Sequence, residues 1–201
     1  MKTRREFGIL CLAAMAWASC APALRAADPG TLPDPKDKPP LLALWVDSHG
    51  MRVGATMQKE LRFAIWEDGR VLCAKDPEKG GSGLRSGTIT AEQVATLKNQ
   101  VNGSGIFELK GNCYLVPDAP VHCLIASVDG KKQMLYWDEV EMPGYGINTN
   151  PKPQHLAFMA CWKQVKAAGL RRLKKDLHEV APSQSFSPPK SWYFKKTIQS
   201  E

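Results

Sequence analysis

Two Asp-Gly dipeptides, each set between strand-like runs, limit this chain more than any other feature of it. Asp-Gly is a strong hairpin signal, because glycine accepts positive φ at no steric cost and aspartate tolerates it. Before the first, Lys59 to Trp66 alternates, with Leu61, Phe63 and Ile65 on one side and Arg62 and Ala64 on the other. That period of two belongs to a half-buried strand. Glu67-Asp68-Gly69-Arg70 follows, and Val71 to Lys75 returns. A two-residue turn there sets Ile65 opposite Leu72 and Phe63 opposite Ala74. The second signal, Val128-Asp129-Gly130-Lys131, joins a strand over Val121 to Val128 to one over Lys132 to Trp137. It sets Leu124 opposite Leu135 and Ile125 opposite Met134.

Between and after the hairpins the period changes to that of helices. Thr90 is an N-cap and Gln93 completes a capping box. Val94, Leu97 and Val101 then recur at helical spacing until Gly103. Ile106, Phe107 and Leu109 drop back into the core. A second, longer helix is expected from about Gln154 to Leu177, with Phe158, Trp162, Val165 and Gly169 on one face. Its polar face carries Lys163, Lys166, Arg171, Arg172, Lys174 and Lys175, cations that suit a helix C-terminus. Leu41 to Val46 is apolar and reads as a first strand, whereas Asp76 to Gly87, with four glycines, reads as a loop. The expected fold is α+β, a mostly antiparallel sheet of two or more β-hairpins with two helices packed on one face.

The first 26 residues read as an address rather than as structure. Lys2, Arg4 and Arg5 precede the short apolar run Phe7 to Trp17, and small residues follow, among them Ala21, Ala23 and Ala26. That order is an export-signal pattern. Three routes fit it. Thr3-Arg4-Arg5-Glu6-Phe7 resembles a twin-arginine motif. Trp17-Ala18-Ser19-Cys20 resembles a lipoprotein box, which would acylate Cys20. Cleavage near Ala23 or Ala26 would release a soluble protein. All three lead to a periplasmic, cell-envelope or extracellular destination. The net charge of the chain is +7, and Lys2, Arg4, Arg5 and Arg25 against Glu6 account for +3 of it, which leaves about +4 after cleavage. So modest a charge, without a recognisable motif, gives no case for nucleic acid, and none is expected as a partner. Residues 27–40 are a Pro-rich linker, 41–180 a single domain and 181–201 a flexible tail. In that tail Trp192, Tyr193 and Phe194 stand out as residues that dock back on the domain or on a partner.

Residues able to carry chemistry are few. An exported compartment permits disulfides among Cys73, Cys113, Cys123 and Cys161. A hairpin centred on Asp118 would set Cys113 opposite Cys123, close enough for a bridge. Four buried thiols are the alternative. A thiol nucleophile needs a base, and His122 adjoins Cys123 in sequence, but neighbours on a strand point to opposite faces. Cys113 with His122 remains an arrangement to test. His49, His155 and His178 show no metal-ligand spacing, and no cofactor motif is present. Gly80-Gly81-Ser82-Gly83 lacks the Gly-Lys-Ser/Thr ending of a phosphate loop. Asp47 and His49 share one face of a strand end, too little for a site.

The motifs taken together resemble a group of exported bacterial domains of unknown function, often found in lipoproteins. The resemblance lies in the run Glu67-Asp68-Gly69-Arg70-Val71, then Ile89-Thr90-Ala91-Glu92-Gln93-Val94 with Leu97. Gly105-Ile106-Phe107-Glu108-Leu109, Pro117-Asp118-Ala119-Pro120 and Val128-Asp129-Gly130-Lys131 follow, and a helix with Trp162 and Val165 closes it. It implies an exported α+β domain and assigns no catalytic residue. The function expected is therefore non-catalytic, binding or envelope-associated, with an unknown protein or envelope component as partner and the membrane reached only through Cys20. Two alternatives are a small thiol-dependent hydrolase using Cys113 or Cys123 with His122, and an inhibitor or accessory subunit of a larger partner.

Overall fold

The computed structural model of the chain describes residues 32, 34, 38–47, 59–81, 83–109, 119–138, 153–173, 177–182 and 186–194. The sheet is assembled on β1 (Leu42–Asp47), whose sequence Leu-Ala-Leu-Trp-Val-Asp is buried at every position. A strand with consecutive apolar residues has to be covered on both faces. β1 lies between β2 (Lys59–Ile65) and β5 (Val121–Val128), antiparallel to both. The other strands are β3 (Arg70–Ala74), β4 (Leu84–Thr88), β6 (Lys131–Trp137) and β7 (His178–Glu179). They form one sheet in the order β6-β5-β1-β2-β3-β4-β7, with every neighbouring pair antiparallel. Two helices, α1 (Ala91–Asn102) and α2 (Pro153–Leu170), complete an α+β fold, the class expected from the sequence.

The two Asp-Gly signals both make hairpins, but different ones. In the second, Asp129 (φ 49°) and Gly130 (φ 81°) are both left-handed. That is the two-residue turn whose twist matches the strands, and Leu124 faces Leu135 and Ile125 faces Met134 as read. In the first, only Gly69 is left-handed, at φ 85°. Trp66 N donates to Arg70 O at 2.9 Å and Gly69 N to Trp66 O at 3.1 Å, so the loop has three residues. The register is Phe63 to Cys73, Ala64 to Leu72 and Ile65 to Val71, one residue away from the expected pairing. Asp68 stays out of the left-handed region because its carboxylate is engaged locally. It accepts from Arg70 N at 3.1 Å and from Arg70 Nε at 2.7 Å. Ile89 N then donates to Gly69 O at 2.8 Å and ties the turn to the chain beyond β4.

A β-bulge corrects the expected face of β2. Leu44 pairs with Phe63 but Trp45 pairs with Leu61, so Arg62 is the extra residue. Phe63 and Ile65 stay on one face, while Leu61 joins Ala64 and Trp66 on the other. Two element boundaries also differ. β4 lies inside the stretch read as a loop, because Leu-Arg-Ser-Gly-Thr has neither an apolar run nor alternation. The last helix ends at Leu170, where Arg172 N donates to Gly169 O at 3.0 Å and Leu173 N to Leu170 O at 3.1 Å. The tightened turn lets the chain reach the sheet edge as β7. α1 begins as expected: Gln93 N donates to Thr90 Oγ1 at 3.2 Å and Thr90 N to Gln93 Oε1 at 2.8 Å.

Alternation along β1 divides the interior. Leu42 and Leu44 belong to a first cluster with Phe63, Ile65, Leu124 and Leu135. The buried apolar residues of α1 (Val94, Leu97, Val101) and of α2 (Phe158, Cys161, Trp162, Val165, Ala168) all join this cluster. Trp162 stacks on Phe158 with centroids 6.0 Å apart and meets Trp137 edge-on at 5.5 Å. Ala43 and Trp45 point the other way, into a second cluster with Leu61, Trp66, Leu72, Cys123 and Ile125. That cluster holds no helical residue from α1 or α2.

Candidate functional site

The second cluster is covered by a strap from the C-terminal tail. A single 3-10 turn, Lys190–Trp192, closed by Trp192 N donating to Pro189 O at 3.0 Å, orients it. Trp192 is 2% exposed. It meets Trp66 edge-on at 5.7 Å and Trp45 at 6.2 Å, with Phe186 at 5.4 Å. Tyr193 adds an edge contact to Trp45 at 5.4 Å. Edge-on aromatic pairs set positive ring edges against negative faces. Cations reinforce the strap from the sheet, with Lys59 Nζ 4.2 Å from the Tyr193 centroid and Lys132 Nζ 5.5 Å from that of Phe194. Of the two fates expected for Trp192, Tyr193 and Phe194, the structure shows docking on the chain's own sheet.

The strap also meets a buried polar group at the end of β1. Asp47 ends β1 opposite Lys59 and Val121 and is 7% exposed. The Tyr193 hydroxyl donates to Asp47 Oδ2 at 3.4 Å. Burial, with the Asp47 charge next, pushes the Tyr193 phenol well above its ordinary range. Cys123 lies beneath. Burial first and the Asp47 charge second push its thiol up to about 12, with Lys59 opposing. Tyr193 and Cys123 each hold their proton at neutral pH. The arrangement therefore fastens a segment and does not present a nucleophile.

The thiols expected as nucleophiles or bridge partners divide as follows. Cys20 and Cys113 lie outside the described residues. The ladder positions opposite Cys123 are filled by Trp45 on β1 and Tyr136 on β6. Cys73, Cys123 and Cys161 are free and buried. Burial pushes Cys73 up to about 11, against the Arg85 charge, and raises Cys161, whose Sγ donates to Ser104 Oγ at 3.8 Å. His122 alternates with Cys123 along β5, so it sits on the face of Leu124 and away from the thiol.

Among the described residues no group of three His, Cys, Asp or Glu could hold a metal ion. His178 is exposed on β7, and His49 and the His155 side chain lie outside the description. A cavity of about 290 Å³ opens between Lys75, Gly83, Arg85 and Glu179 at the β4–β7 edge. The ion pair on its wall, Lys75 to Glu179 at 3.3 Å, is largely solvated. Just past the end of α2, Arg172 Nη2 donates to Gln100 Oε1 at 3.3 Å and so braces α1. No described helix is long and apolar enough to cross a membrane. The Asp47–Tyr193 latch was missed in sequence because its members stand 146 residues apart. The signal that could have found it is an aromatic triplet in an otherwise Ser- and Pro-rich tail. Comparison with known proteins gives no match, whether with family models, curated proteins or solved structures.

Proposed function

We propose that this chain is an exported, non-catalytic domain with a binding or envelope-associated role, tethered through Cys20 or released by cleavage near Ala23 or Ala26. One observation carries the non-catalytic part: the described thiols are buried and held protonated, with Cys73 pushed up to about 11 and Cys123 to about 12. The polar groups around Cys123 are spent on the strap. The export part rests on the charge, apolar run and small residues of the first 26 positions, and on the resemblance to exported domains of unknown function. Alkylation kinetics at neutral pH test the first part. The expected result is slow labelling of the native protein and fast labelling in urea. A rapidly alkylated native thiol would revive the hydrolase reading with Cys113 and His122. Mass spectrometry of the mature N-terminus tests the second part, and an intact Met1 on protein from the native host would remove it.

A further inference from the structure

The bulge in β2 singles out one side chain that folding does not explain. Arg62 is the extra residue of that bulge, and bulges re-aim side chains and gather next to functional sites. It is only 9% exposed. Its Nε and Nη1 are buried without a hydrogen-bond partner. Burying a cation without an acceptor is costly enough that folded proteins supply one.

What the guanidinium meets is the glycine-rich loop after β3. A Cβ built on Gly80 would run into Arg62 Nη1 and Cζ, so the loop backbone lies directly against the cation. Gly80, Gly81 and Gly83 have φ of 78°, 108° and 97°, values that only glycine holds without strain. Asp76 folds the base of this loop. Its Oδ1 accepts from Glu78 N and Lys79 N, both at 3.1 Å, and its carbonyl accepts from Gly80 N at 2.6 Å. Gly81 and Gly83 are exposed, and nothing lies within 4 Å of a Cβ placed on Gly81. The Gly81 side of the loop is therefore open to an approaching ligand. Backbone N–H groups in left-handed turns form concave anion seats. Gly80 N is given to the Asp76 carbonyl, so the seat would draw on the Gly81 and Gly83 amides. A guanidinium matches phosphate oxygens with its planar fork.

We propose that Arg62 and the loop glycines Gly80, Gly81 and Gly83 form an oxyanion site whose ligand carries a phosphate group. The bulge aims the cation, the glycines let the backbone approach, and the ligand supplies the missing acceptor. The assignment lacks the lysine of a nucleotide loop and relies instead on an arginine from the neighbouring strand. It goes beyond the proposed function and stands whether or not the domain is exported.

The test is a titration of the full-length protein with inorganic phosphate at constant ionic strength, followed by NMR at the Arg62 Nε–H and at the Gly80, Gly81 and Gly83 amides. Saturable shifts at these positions are expected, with affinity reduced about tenfold or more in Arg62→Met, which keeps the apolar stem. Gly81→Ala strains only the loop and should weaken binding while the β-sheet amides stay in place, so the test survives a misfolded Arg62 variant. Vesicles of phosphatidylglycerol form a second arm. Co-sedimentation that inorganic phosphate competes away assigns the phosphate to a lipid headgroup, and phosphate binding alone assigns it to a soluble ligand. No saturable shift with phosphate and no vesicle binding overturns the site, as does wild-type affinity in both variants.

Discussion

The two clusters on either side of the sheet are covered in different ways. The first is closed by residues of two helices, with Trp162 fully buried between Phe158 and Trp137. The second is closed by residues 186–194, irregular apart from one 3-10 turn. A helix satisfies its own backbone, so its side chains can all be given to packing. The strap has the hydrogen bonds of a single turn and depends on rings, two cations and the Asp47–Tyr193 contact. Regions with few buried apolar contacts and little backbone pairing open first. The strap should therefore open well below global unfolding, and the helical side should open with it.

The largest effect belongs to Trp162→Ala. Removing a fully buried ring from three aromatics in mutual contact should lower stability by about 3–5 kcal/mol, read as a shift in the urea midpoint. Gly169→Ala comes next. The new Cβ would lie 2.6 Å from Phe63 Cε2 and Cζ and 3.1 Å from Leu42 Cδ2. Overpacking there should cost about 1–3 kcal/mol, and a neutral result would mean that α2 can slide on the sheet. Trp192→Ala should cost less, about 1–2 kcal/mol, because the strap can lift and no sealed cavity remains. Hydrogen exchange should then quicken at residues 186–194 and on β1 before it does on α2. A loss equal to that of Trp162→Ala would show that the two sides are one cooperative unit.

Smaller still is Tyr193→Phe, which leaves Asp47 without the phenol and should cost about 1 kcal/mol, read by the same exchange measurement. Alkaline pH completes the comparison through Cys123, which lies under the strap. Its folded pKa of about 12 stands above the ordinary 9.0, so the folded state holds the proton more tightly than the unfolded state. That contribution is fully present below pH 9 and is lost as pH rises towards 12. Urea midpoints should fall between pH 8 and pH 10 in the wild type and fall less in Cys123→Ala. Equal slopes would show that the thiol is not buried in solution.

The two Asp-Gly turns show how far local sequence reaches. Both dipeptides announce hairpins, and Asp129-Gly130 makes the expected two-residue turn, with nothing within 4 Å of a Cβ on Gly130. A Cβ placed on Gly69 would instead lie 2.5 Å from the Ile89 carbonyl oxygen. The Gly69 turn is set by contact with chain twenty residues away, and the register moves by one. The capping box at Thr90 and the stripe Val94, Leu97 and Val101 were legible for the opposite reason: both are contained within one helix. β4 was not legible, because a strand of Leu-Arg-Ser-Gly-Thr is specified by β3 beside it. Of the candidate site, Asp47, Cys123 and the aromatic triplet were each visible, but their meeting was not.

By itself the sequence determined the export-like start, the positions of both hairpins, the capped helix and the α+β class. Each rests on residues a few positions apart, where backbone geometry and side-chain period act directly. Only the tertiary structure decided that the tail closes the second cluster and that Arg62 turns out of its strand against the glycine loop. Those outcomes depend on which distant surfaces remain uncovered once the sheet has formed, and no local pattern encodes that.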